Sequence, residues 1–262
     1  MPSSTKKSSF YLPLVNITPY LQDPSSIAGQ QVLDDVRRAC TSTGFFQLVG
    51  HGVPATLQKN LYNAAAKFFA LPMGVKLPLD VRKNIGFRGY DVMSSQSYEK
   101  DVLPDLKEGY IMGTDIPLDD PRVMKRRFFM GERSCMPTPS LALSPTPKQV
   151  GNERRQFGSS AHTDFGFITL LLQDENPGLE VQDRETGEWI GVPPNEEAYV
   201  VNMGDMISRV TGNLVVFFVD GNLDYKLRRL DKIGQPGEDE EALTVEEHME
   251  ERRRTTYGLR KK

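Results

Sequence analysis

This chain is short of the residues that metal and redox chemistry usually draws on. Its 262 residues include three histidines, two cysteines and one tryptophan. Cys40 and Cys135 form no CxxC pair, which argues against a disulfide framework. Two free thiols in a reducing compartment are expected. Positive charge is not in excess: the formal net charge is -3, and the arginines are dispersed among acids. That excludes a phosphate-binding stripe, so nucleic acid is not an expected partner. No apolar run approaches the roughly 20 residues of a membrane-spanning helix, so no membrane partner is expected either. With no secretory leader or sorting signal recognisable, the expected location is cytoplasmic.

What is present is an ordinary apolar fraction and a clear division of character. Residues 1–9 (MPSSTKKSS) are polar and are expected to form a disordered tail. Residues 10–130 read as a mixed, helical part. Ile27 to Cys40 carries Val32, Val36 and Ala39 at helical spacing, and Gly44 to Gly50 reads as a strand. His51-Gly-Val-Pro54 turns the chain, giving His51 a structural role. A second helix follows from Ala55 to Phe69, with Leu57, Leu61, Ala64, Ala65 and Phe68 on its apolar side. Residues 131–157 form a Pro-rich irregular link, with Pro137, Pro139, Pro145 and Pro147 and no periodicity.

Residues 158–225 read as short strands joined by turns. Phe167 to Leu172 is apolar, and Leu179 to Asp183 returns through Glu188-Trp-Ile190 as a hairpin. Ala198 to Asn202 and Leu214 to Val219 are two further strands. Such a pattern indicates an all-β sandwich or jelly roll, not a parallel α/β sheet. Trp189 is expected to pack across the hairpin. Residues 226–262 read as a tail, in which Thr244-Val-Glu-Glu247 opens a charged helix reaching about Tyr257. His248 lies within that helix and is expected on its solvated face.

The chemistry sits in Gly158-Ser-Ser-Ala-His162-Thr-Asp164-Phe-Gly166. In a strand, residues i and i+2 share a face, so His162 and Asp164 can both point into the mouth of a β-roll. One imidazole, one carboxylate and a second imidazole cap one face of an octahedral ferrous ion and leave three positions open. Phe165 and Phe167 flank the pair, one to line a pocket and one to fill the core. Asn202 and Asp205 read as turn residues, with support of the metal pair as the alternative. Tyr90 and Gln96 read equally as substrate-facing or as loop packing.

Gly158 to Leu172, Pro177-Gly-Leu-Glu-Val-Gln-Asp183, Gly187-Glu-Trp189 and Val201-Asn-Met-Gly-Asp205 together resemble the non-haem Fe(II)- and 2-oxoglutarate-dependent oxygenases of the isopenicillin N synthase-like superfamily. Ala39 to Pro54, Lys67-Phe-Phe-Ala-Leu-Pro72, Gly86-Phe-Arg-Gly-Tyr90, Pro104-Asp-Leu-Lys-Glu-Gly109 and Phe217 to Tyr225 carry the same resemblance. The resemblance implies a mainly β fold with flanking helices around a double-stranded β-helix, or jelly roll, apparently incomplete here. It implies Fe(II) held by His162 and Asp164, 2-oxoglutarate as co-substrate, and dioxygen. It also implies a small-molecule substrate of secondary metabolism that is hydroxylated, desaturated or ring-closed by a monomer.

The pattern breaks in two places. The family carries its second histidine in a segment resembling Ser-Thr-x-His-Arg-Val, followed by Arg-x-Ser for the far carboxylate of 2-oxoglutarate. This chain runs from Gly204 through Gly212 directly into Asn213-Leu-Val-Val-Phe-Phe218, with no histidine between His162 and His248. Arg209 precedes the gap and is not a substitute. The tyrosine-containing strand expected before the motif is also missing. Three readings stand: omitted blocks, a shortened non-catalytic protein with a structural or interaction role, or a site completed by another ligand. The intact mass of the protein from its native source separates them. A mass several kDa above 29.5 kDa means omitted blocks that hold the histidine and Arg-x-Ser; agreement with 29.5 kDa means the gaps are real.

Overall fold

The computed structural model describes residues 11–98, 102–113, 115–125, 127, 130–131, 157–183, 186–204, 206, 223–228 and 242–258. In chain order the elements are β1 (Leu14–Asn16), α1 (Thr18–Gln22), α2 (Ile27–Ser42), β2 (Phe45–Val49), α3 (Ala55–Phe69), α4 (Met73–Lys76), β3 (Gly89–Asp91), β4 (Gly109–Ile111), α5 (Pro121–Met124), β5 (Ile168–Leu172), β6 (Glu180–Gln182), β7 (Trp189–Gly191), β8 (Tyr199–Met203) and α6 (Val245–Thr256). Two compact units interleave along the chain. One comprises Met1–Gly52 and Thr163–Val245, the other Val53–His162 and Glu246–Lys262. The expected tail at 1–9, most of the link at 131–157 and the strand at Leu214–Val219 lie outside the described residues.

The first unit is built on a four-stranded sheet in the order β1-β2-β8-β5. β1 runs parallel to β2, while β8 is antiparallel to both β2 and β5. Alternation along β8 sends successive valines to opposite faces. Val201 packs with Val15, Val32, Val36, Ala39 and Phe46 beneath α2. Val200 packs with Val181 and Val192 of the β6–β7 hairpin region, joined by Phe45, Leu171 and Leu179. Helix α2 forms where its stripe predicts: Ser26 caps it, its Oγ accepting from the Gly29 amide at 3.0 Å. Cys40, a free thiol, packs against this core, and burial pushes its pKa up to about 11. It is therefore an inert thiol at neutral pH.

The sheet and hairpin resemble part of a jelly roll and, among the described residues, do not close into a barrel. Trp189, expected to pack across the hairpin, is instead 50% exposed. It stands opposite Gln182, and the neighbouring pair Val181–Ile190 carries the inward face.

The second unit packs α3 against the β3–β4 pair through Phe68, Tyr90 and Tyr110. The apolar side of α3 differs from expectation. Gln58, Ala65 and Phe68 are buried, whereas Leu57 is 59% exposed. Beneath it lies a buried ion pair, Lys76 Nζ to Glu108 at 2.8 Å, and the Tyr90 hydroxyl donates to the same carboxylate at 2.5 Å. Burial and this bond push the Tyr90 phenol far above its ordinary pKa. Tyr90 is thus a core residue, settling its reading in favour of packing.

Helix α6 corrects a second expectation. His248, read as solvated, is 0% exposed. Val245, His248, Met249 and Thr256 are buried together, because their spacing places them on one face of the helix under a charged exterior.

Phe46 is the test of the sheet core. Phe46→Ala is expected to lower urea stability by about 3–5 kcal/mol, while Leu170→Ala, at a 55% exposed position on β5, should change it by less than about 1 kcal/mol.

Candidate metal-binding half-site

His162 is held through its backbone neighbours. The buried Asp105 carboxylate accepts from the Ser160 amide at 2.9 Å and from the Ser160 hydroxyl at 2.6 Å. Lys107 pairs with the other oxygen of Asp105 at 3.3 Å and donates to the Ser159 hydroxyl at 3.1 Å. The Leu106 amide donates to the Phe157 carbonyl at 2.8 Å. Segment 105–107 therefore fixes segment 157–160, which carries His162. The Ser160 carbonyl lies 2.8 Å from His162 Nδ1. A carbonyl only accepts, so Nδ1 carries the proton that bonds it. Backbone carbonyls orient metal-ligating histidines in this way. The ring itself is exposed, and Tyr98 stacks on it at 4.4 Å and 17°.

Asp164 is held by β8. Asn202 Nδ2 donates to Asp164 Oδ2 at 2.7 Å. The backbone reinforces this: the Gly204 amide donates to the Phe167 carbonyl at 2.9 Å, and the Met206 amide to Gly166 at 3.3 Å. The approach is so close at Gly204 that a Cβ there would lie 2.1 Å from the Gly166 carbonyl oxygen and 2.9 Å from that of Asp164. Glycine is required at this position. Phe167 is the buried member of the flanking pair, and Phe165 is half-buried.

His162 and Asp164 are the residues that could hold a metal. The boundary between the two compact units falls between His162 and Thr163, so the imidazole belongs to one unit and the carboxylate to the other. Among the described residues no set of three His, Cys, Asp or Glu side chains could hold a metal ion. His51 Nε2 donates to the Glu197 carbonyl at 3.2 Å, and its ring meets Tyr199 edge-on at 4.7 Å. It is the structural turn residue expected. His248 is buried in α6. The described residues therefore do not fit a three-ligand iron centre. Asp205 and Arg209 lie outside the described residues.

Asn202 lies in strand β8, not in a turn, and hydrogen-bonds Asp164. Gln96 binds Asp91, Tyr98 and Tyr257 and belongs to packing within its unit. Sequence reasoning missed Tyr98, Asp105, Lys107 and Ser160. The signals for them were the Pro104 to Gly109 block, which holds Asp105 and Lys107, and the Gly158 to Leu172 block, which holds Ser160; each carried resemblance without a role for these residues, and Tyr98 had no signal.

A sequence profile described as the N-terminal region of non-haem dioxygenases in morphine synthesis matches residues 12–134, and one described as the 2OG-Fe(II) oxygenase superfamily matches residues 139–219. A 2-oxoglutarate-dependent dioxygenase of Monascus ruber, citB, is 52% identical, with all of both chains covered. The chain belongs to the 2OG-Fe(II) oxygenase superfamily.

Another such dioxygenase, from Didymella fabae, is 45% identical over 98% of this chain and 99% of the relative. The clavatol oxidase claD of Penicillium crustosum is 41% identical over 96% and 98%. The fold agrees with that of a full-length Neurospora crassa protein in complex with alpha-KG, at TM-score 0.67 and 19% identity over 92% of this chain and 95% of that one. It also agrees with an oxygenase-family protein of Caulobacter crescentus, at TM-score 0.68 and 21% identity over 93% and 98%. As a member of this superfamily the chain is an Fe(II)/2-oxoglutarate-dependent oxidoreductase-family protein of secondary metabolism, and the family implies dioxygen and a small-molecule substrate. No helix among the described residues is long and apolar enough to cross a membrane.

The Monascus alignment also locates a deficit. It runs over 333 positions, and 262 residues of this chain leave 71 of them (333 minus 262) without a counterpart. Because both chains are fully covered, those positions are internal.

The Asn202–Asp164 contact predicts a pH effect. Asn202→Asp puts two carboxylates at hydrogen-bond distance, and one of them then ionises only well above the ordinary carboxylate range. A carboxyl whose folded pKa is raised loses stability as pH rises through that range. Relative to the wild type, Asn202→Asp should be near neutral at about pH 4 and less stable by about 1–3 kcal/mol at about pH 7. Urea melts of both chains across this range check it; a difference independent of pH would show that the two side chains do not meet.

Proposed function

We propose that His162 and Asp164 are the two protein ligands to Fe(II) in this chain, and that in the 262-residue form the remaining positions fall to water and small ligands. The observation that carries this reading is the Ser160 carbonyl on His162 Nδ1, which orients an exposed imidazole. Asn202 does the corresponding service for Asp164. Residues 10–130 and 158–225 serve as the N-terminal part and the catalytic core. The profile matches at 12–134 and 139–219 support that division. The substrate is a small organic molecule oxidised by hydroxylation, desaturation or ring closure. The chain's 41% identity to an enzyme named for clavatol supports this class. The protein works as a cytoplasmic monomer without nucleic acid.

The third ligand and the co-substrate anchor belong to the internal positions that the Monascus relative has and this chain lacks. Fe(II) should bind the present chain once and weakly, and 2-oxoglutarate should gain little from a pocket without a bidentate arginine.

Anaerobic Fe(II) dialysis, with succinate release as a second readout, tests the assignment. His162→Ala and Asp164→Ala should each weaken binding at least about tenfold, and added imidazole should tighten it in the unaltered chain by supplying a third nitrogen. Binding indifferent to both substitutions removes the assignment. Iron bound without succinate release favours the non-catalytic reading, for which the missing three-ligand set among the described residues is the supporting observation.

A further inference from the structure

A hydrogen bond at Nδ1 fixes the tautomer of an imidazole and one direction in its plane, but leaves the ring free to rock about that direction. Something else must set the plane of His162. Within the same unit, Tyr98 lies against it face to face, with 4.4 Å between ring centres and 17° between planes.

Tyr98 is itself held on two sides. Its hydroxyl donates to Gln96 Oε1 and accepts from Lys107 Nζ at 3.3 Å, and the Lys107 ammonium lies 4.5 Å from its ring centre. Gln96 is fully used. Its amide nitrogen donates one hydrogen to Asp91 Oδ2 and the other to the Tyr257 hydroxyl at 2.7 Å. Tyr257 in turn donates to Asp91 Oδ2 at 3.0 Å, and Ser95 donates to Asp91 Oδ1 at 2.7 Å. Each polar group in this chain of bonds has one donor and acceptor assignment that satisfies its neighbours. Burial pushes the Asp91 carboxyl up despite these donors, and burial also pushes the Tyr257 phenol up. The network is a low-dielectric one, where a satisfied chain of bonds is stiff and a broken one is costly.

We infer that Tyr98 is a positioning residue for His162, setting the plane of the imidazole, and that Gln96 and Tyr257 tie this setting to the end of α6. The ring order stands on the contacts above; its importance for metal binding rests on the proposed role of His162.

The three histidines make the experiment simple, because the full chain labelled with nitrogen-15 histidine shows three imidazole systems. His162→Gln assigns the one of interest. In the unaltered chain relaxation of the His162 ring nitrogens should report a ring held in one plane. In Tyr98→Leu it should report a mobile ring, while His51 and His248 keep their signals and so report an intact fold. Tyr98→Phe retains the stack and should retain the wild-type relaxation. If Tyr98→Leu does not fold, Gln96→Leu carries the test, with the same gain of ring motion expected. Ring relaxation of His162 unchanged in the folded variant overturns the inference. Zn(II) titrated into the same samples separates this from the ligand assignment. Tyr98→Leu should weaken Zn(II) binding about tenfold. If Zn(II) leaves the His162 signals unmoved in the unaltered chain, the ligand assignment fails while the stack stands; if it binds both chains equally at His162, the positioning role fails.

Discussion

β8 is the strand on which the first unit depends. It is hydrogen-bonded on both edges, to β2 and β5, and buried on both faces through Val200 and Val201. Because side chains alternate strictly along a strand, a slip of one residue would exchange the two cores and turn each valine to the wrong partners. The same register brings Asn202 to Asp164 and places Gly204 against the Gly166 carbonyl. Core packing and the holding of the carboxylate are consequences of one strand alignment.

The imidazole is held by different means. Asp105 is fully buried and is acceptable there only because Ser160 and Lys107 bind it. That local cluster makes the Ser160 carbonyl a fixed acceptor for His162. Both prospective ligands are therefore preorganised, one by sheet register and one by a buried polar cluster. Among the described residues no third His, Cys, Asp or Glu side chain joins them to hold a metal ion. His51 and His248 are committed to a turn and a helix core, so neither is a spare histidine.

Among the described residues β5 pairs on one side only, with β8, and it carries the exposed Leu170. An edge of this kind invites pairing with another chain unless it is covered.

By itself the sequence determined the local features. The α2 stripe, the strand at β2, the hairpin of β6 and β7, and the His162–Asp164 pair were all legible, because each rests on short-range periodicity or on adjacent residues. The family resemblance extended that to a jelly-roll type and an iron-dependent chemistry. The tertiary structure alone decided which polar residues are hidden and what they hold. His248 is buried although charges surround it in sequence, and Leu57 and Trp189 are exposed although they are apolar. Asn202 meets Asp164 across 38 residues of chain, and Gln96 meets Tyr257 across 161. Such contacts join residues that have no local pattern in common. They exist only once strand register and helix docking have brought distant segments within hydrogen-bond reach.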